Sequence, residues 1–139
     1  MPLLRSVLLV DDDDTTNYLN RLLLTRLGVA EQILVAENGE EALRTLDRTC
    51  RGADTAACPQ LILLDMNMPV LNGLAFLEGY AQLPPSYQQG IVVVMLTTSL
   101  HPRDLARAQE LPIADFLTKP LTKEKLDALL HEHFARPAP

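Results

Sequence analysis

No apolar run in these 139 residues approaches the ~20 needed to cross a bilayer. Basic charge is also short: 12 Lys and Arg stand against 18 Asp and Glu, for a net charge of −6. With no basic stripe, direct nucleic-acid binding is disfavoured, because phosphate contacts need clustered cations. With no polybasic segment, so is docking on anionic lipid. The apolar start is broken by Arg5 and Ser6 and ends in Asp11–Asp14, with no small-residue cleavage site, so it does not read as a secretory leader. Cysteine is scarce. Cys50 and Cys58 have no histidine near them, which is not zinc-like. Two free thiols in a cytoplasmic protein is the expected state, with a disulfide as the open alternative. There is no internal repeat, no low-complexity tract and no visible linker to a second domain.

What is present is one domain's worth of residues, 47% of them hydrophobic. Short apolar runs alternate with amphipathic stretches. Val7–Val10, Ile33–Ala36, Leu61–Leu64, Ile91–Leu96 and Ala114–Thr118 read as strands. Between them, Thr15–Leu27 carries Leu19, Leu22, Leu23 and Leu27 at helical spacing and stops at Gly28. Gly39–Thr49 follows a capping Asn38; another helix opens at Asn72 or Gly73 and fades near Gln82. Pro102–Glu110 is a short helix with Pro in its first turn, and Thr122 caps a last one bearing Leu126, Leu129, Leu130 and Phe134. This order predicts an α/β fold: (βα)5, a doubly wound five-stranded parallel sheet in the flavodoxin-like order 2-1-3-4-5. The domain is expected over residues 1–134, with 135–139 a disordered tail.

In such a sheet, ligands gather at the carboxyl ends of the strands. Asp11 and Asp12 follow the first strand, Asp65 the third, Thr97 the fourth and Lys119-Pro120 the fifth. Each alone is ordinary. A run of aspartates suits a solvated turn and helix cap, a lone Asp a turn, and Lys-Pro a surface. Together they put three carboxylates, a hydroxyl and an ammonium on one rim. Clustered carboxylates need a cation, and an oxygen-only set suits a hard ion such as Mg2+. The set fits phosphoryl transfer onto a carboxylate.

The strings VLLVDDDD, LILLDMNMPVLNG, VVVMLTTS and FLTKPLT, spread over residues 6–134, resemble the receiver domain of two-component response regulators. The resemblance implies that Asp65 is the phosphoacceptor. Asp12 would bind Mg2+ directly, Asp11 largely through water, and Asn67 through its backbone carbonyl. Thr97 would be the switch hydroxyl, Phe116 the aromatic switch residue, and Lys119 the family's lysine, with a cis bond to Pro120. Asp13 and Asp14 match no family role and read as helix cap and first-turn acid. The departures are Asn72 for a frequent Asp, Thr98 for a smaller residue, and no hydroxyl on Phe116.

The resemblance further implies a cytoplasmic signalling switch rather than an enzyme. A histidine kinase or histidine phosphotransfer protein would supply phosphate, and output would pass by protein docking or phosphate relay. The chain would be a monomer or weak homodimer. Two rivals are a haloacid-dehalogenase-like phosphatase, which would want an acid where Asn67 stands, and an interaction module that is never phosphorylated. Between Asp65 and Arg103 the only charged residue is Glu78. Core burial is the first explanation for that stretch, and an apolar docking surface at Met66–Leu77 or Leu83–Gly90 the second.

Overall fold

The computed structural model describes residues 4–51, 57–66, 72–85, 90–97 and 102–134. The elements are β1 (Leu4–Val10), α1 (Asp14–Leu27), β2 (Ala30–Ala36), α2 (Gly39–Cys50), β3 (Leu61–Leu64), α3 (Gly73–Ala81), β4 (Val92–Thr97), α4 (Pro102–Gln109), β5 (Asp115–Thr118) and α5 (Lys123–His133). All neighbouring strands pair in parallel, and their order is β2-β1-β3-β4-β5. This is the doubly wound sheet expected from the sequence.

Period-two alternation distributes the strand residues between two cores. Leu8, Val10, Ile62, Leu64, Val93 and Met95 point to the face covered by α2 and α3. Val7, Leu9, Leu61, Leu63, Val94 and Leu96 point to the face covered by α1 and α5. Strands buried on both faces must be apolar throughout, which is why the central ones read as continuous runs. Edge strand β2 departs from this. Glu31 and Gln32 are exposed, so the apolar run starts late, yet backbone pairing extends back to Leu4 opposite Ala30.

The helix starts obey capping chemistry. Asp13, Asn38, Asn72 and Thr122 each accept a hydrogen bond from a first-turn amide. Gly28 closes α1 at φ 62°, the left-handed region that favours glycine. The buried stripe of α1 differs from the expected one: it is Asn17, Asn20 and Leu24. Leu22, Leu23 and Leu27 are half-buried, while Leu19 is 55% exposed. Met66, Phe76, Leu77 and Tyr80 are buried, so core packing accounts for these residues of the uncharged stretch, while Leu83 is half-buried and Pro84 and Pro85 are exposed. Among the described residues no helix is long and apolar enough to cross a membrane.

Cys50 and Cys58 form a disulfide, with Cα atoms 4.7 Å apart. This corrects the expectation of two free thiols. Cys50 ends α2 and Cys58 lies just before β3, so the disulfide joins the end of that helix to the start of the strand. Closing so short a loop is worth about 2–3 kcal/mol through lost unfolded-state entropy. Dithiothreitol is therefore expected to lower the unfolding free energy measured in urea by that amount, with a matching fall in the denaturation midpoint. An unchanged midpoint in fully reduced protein would contradict it.

Candidate functional site

The site is built on the register of β1, β3, β4 and β5. Val10 lies opposite Leu64, so Asp11 and Asp65 leave the sheet side by side, and the Asp65 amide donates to the Val10 carbonyl at 2.9 Å. Thr97 lies opposite Thr118, which brings Lys119 to the same rim. Both Asp11 and Asp65 are buried, whereas Asp12 is exposed. One carboxylate oxygen from each of Asp11, Asp12 and Asp65 lies within 4.8 Å of the others. An oxygen-only set this close fits a hard divalent cation, which would relieve the mutual repulsion.

Lys119 crosses the rim. Its Nζ donates to Asp11 Oδ2 at 2.7 Å and lies 3.3 Å from Asp65 Oδ1. Burial alone would push this ammonium down. The hydrogen bond and charge of Asp11, then the charge of Asp65, outweigh burial and hold it above its ordinary value. The Lys119-Pro120 bond is cis, as the resemblance implied.

Asp11 is held at several atoms. Its amide donates to the Ala36 carbonyl at 3.1 Å, and its Oδ1 accepts from the Asp13 amide at 2.9 Å. Its carbonyl accepts from Asn17 Nδ2 at 2.8 Å. Asp13 is the N-cap of α1, and Asp14 its first-turn acid. A hydrogen bond from the Thr16 hydroxyl, with one from the Thr15 amide, holds the Asp13 carboxyl below its usual range.

The other expected site residues divide. Phe116 is half-buried against the α2–α3 core, with its Cα opposite Met95. Thr97 ends β4 and its backbone is on the rim. Asn67 and Thr98 lie outside the described residues, as does the tail 135–139.

Three contributors escaped the sequence reading. Asn17 is one. Its signal was present, since helical spacing aligns Asn17 and Asn20 with Leu24 and so puts polar residues on a core stripe. Gly73 is the second. A Cβ there would stand 2.7 Å from the Asp65 carbonyl oxygen and 2.9 Å from Met66 Cα. Lys125 is the third, and its bonds depend on a loop shape that no spacing rule describes.

A doubly wound parallel sheet with carboxylates and a lysine gathered at one rim is the architecture of a signalling receiver. The family model for the response regulator receiver domain matches residues 7–131. The chain is 33% identical to the chemotaxis protein CheY1 of Helicobacter pylori, over 89% of this chain and 95% of that protein. It is 30% identical to two-component response regulator 24 of Arabidopsis thaliana, over 91% of this chain and 82% of that one. A solved two-component response regulator from Cytophaga hutchinsonii superposes with a TM-score of 0.83 at 29% identity, covering 98% of this chain and all of that one. This chain belongs to the response regulator receiver domain family of two-component systems.

Proposed function

We propose that this chain, over residues 1–134, is a phosphorylation-dependent receiver that accepts a phosphoryl group on Asp65 with Mg2+ bound. The observation that supports this most is the Asp65 carboxylate, buried at the end of β3 with Lys119 Nζ 3.3 Å away. A histidine kinase or histidine phosphotransfer protein presents phosphohistidine. An Asp65 oxygen forms the new O–P bond as the donor's N–P bond breaks, and the departing imidazole takes a proton from solvent. Lys119, already a donor at this rim, follows the charge onto the phosphoryl oxygens. Asp12, Asp11, Asp65 and the Asn67 carbonyl would hold the ion. A bound Mg2+ supplies positive charge that offsets the carboxylates and the developing phosphoryl charge.

The product adds about −1.5 to −2 of charge at the rim. Thr97 turns toward it, and Phe116 moves into the space this opens. With no hydroxyl on Phe116, the coupling rests on packing. The readout is a population shift on α4, β5 and α5 that a downstream protein recognises. The protein assists its own phosphorylation and dephosphorylation but turns over no other substrate. It acts in the cytoplasm, off nucleic acid and membranes, as a monomer or weak homodimer.

The test uses phosphoramidate as a small donor. With Mg2+, intact-mass measurement should show one added phosphoryl group. With EDTA, the rate should fall at least about a hundredfold. No added mass under either condition would defeat the reading, and equal uptake in both would defeat the metal's part in it.

A further inference from the structure

We infer that Lys125 is a positioning residue for Lys119. The inference rests on the function proposed above. Lys125 stands in the first turn of α5, three residues after the Thr122 cap, whose Oγ1 accepts its amide at 3.2 Å. An acidic or amide side chain suits that position, because it can reach back to the cap and complement the positive end of the helix. A cation there goes against the local preference, and Lys123 in the same turn adds another.

The tertiary structure supplies the compensation. Lys125 Nζ donates to the Thr118 carbonyl at 2.7 Å, to Thr118 Oγ1 at 3.2 Å and to the Pro120 carbonyl at 3.1 Å. An ammonium has three protons, and here each has an acceptor. Thr118 and Pro120 flank Lys119. The ammonium therefore bridges the backbone on either side of the residue whose own Nζ reaches Asp11 and Asp65.

Helix α5 is rigidly seated, with Leu126, Leu129 and Leu130 all buried in the core. Lys125 carries that rigidity to the loop after β5 and sets where the Lys119 side chain departs. None of its side-chain hydrogen bonds goes to a carboxylate, so its action runs through Lys119. Misplacing a charge-neutralising group by a fraction of an ångström weakens it at the moment phosphoryl charge develops.

The test compares the full chain with Lys125→Met, which keeps most of the side-chain length and loses the donors, and with Lys125→Arg, which keeps charge and donors. Lys125→Gln, with partial hydrogen bonding, replaces the Met variant if that one does not fold. Uptake from phosphoramidate should show a maximal rate about tenfold lower in Lys125→Met, with half-saturating donor little changed. Calorimetric Mg2+ affinity should stay within about twofold, since no ion-binding carboxylate is touched. Lys125→Arg should recover most of the rate. The Lys119 side-chain NMR signal should move toward those of exposed lysines in Lys125→Met.

A wild-type rate in Lys125→Met overturns the inference, as does a loss that Lys125→Arg fails to recover. So does a fall in Mg2+ affinity that matches the fall in rate, which would mark general loosening of the rim. If the wild type takes up no phosphate, the proposed function fails. The Lys119 signal then decides the inference alone: moved in Lys125→Met and restored in Lys125→Arg supports it, unmoved overturns it.

Discussion

An Asp65→Asn variant should take up no phosphoryl group while folding as well as the wild type or better. The amide is isosteric with the carboxylate but is a poor nucleophile, so the expected loss is on the order of a thousandfold or more. Stability should move the other way. Three carboxylates meet one ammonium at this rim, and Lys119 keeps its 2.7 Å bond to Asp11 when Asp65 is neutral. Removing one negative charge relieves repulsion and is expected to stabilise by about 1 kcal/mol. Phosphoramidate labelling followed by peptide mapping checks the first half, and urea denaturation the second. Label at wild-type level would mean that another residue is the acceptor. A large loss of stability would mean that the Lys119–Asp65 contact outweighs the repulsion among the acids.

The second large effect is expected at Gly73. The added Cβ of a Gly73→Ala variant would meet the Asp65 carbonyl oxygen at 2.7 Å and Met66 Cα at 2.9 Å. Both are backbone atoms of the segment that carries Asp65, and neither yields cheaply. The Gly73 amide also donates to the Met66 carbonyl at 2.9 Å, which ties the start of α3 to that segment. Overpacking of this kind costs about 2–3 kcal/mol. That corresponds to a fall of about 6–12 °C in the melting temperature.

Gly79 in the same helix is the control. A Cβ there would meet the Leu43 side chain at 2.9 Å, and that flexible group can move aside. Alanine also gains about 1 kcal/mol of helix propensity over glycine. Gly79→Ala should therefore melt within a few degrees of the wild type. Calorimetry on the two variants checks the contrast, and equal melting temperatures would show that the Asp65–Met66 backbone adapts. Phosphoryl uptake should fall in Gly73→Ala alone, because only that change displaces Asp65.

Much of the site was legible because a parallel sheet places residues by a simple rule. Once Val7–Val10, Leu61–Leu64, Ile91–Leu96 and Ala114–Thr118 were read as strands, the next polar residues had to share a rim. Asp11, Asp65 and Lys119 are found there in contact distance. The caps were equally legible, because Asp13, Asn38, Asn72 and Thr122 act on amides two or three residues away. The face of α1 was legible only in part. Of the leucines at helical spacing, Leu23 and Leu27 pack against the core, but Leu19 is exposed and Asn17 is buried instead, its Nδ2 donating to the Asp11 carbonyl. A helix packed beside a polar site need not present its most apolar face there.

The sequence by itself determined the order of elements, the helix starts and the kinds of group at each strand end. Periodicity, capping and strand-end chemistry all act over a few residues. Tertiary structure alone decided that Cys50 meets Cys58, that Gly73 lies against the Asp65 backbone, and that Lys125 clasps the carbonyls around Lys119. Those contacts depend on how loops turn and how closely a helix approaches its strand. Such distances are set by the packing of the whole domain rather than by any local pattern.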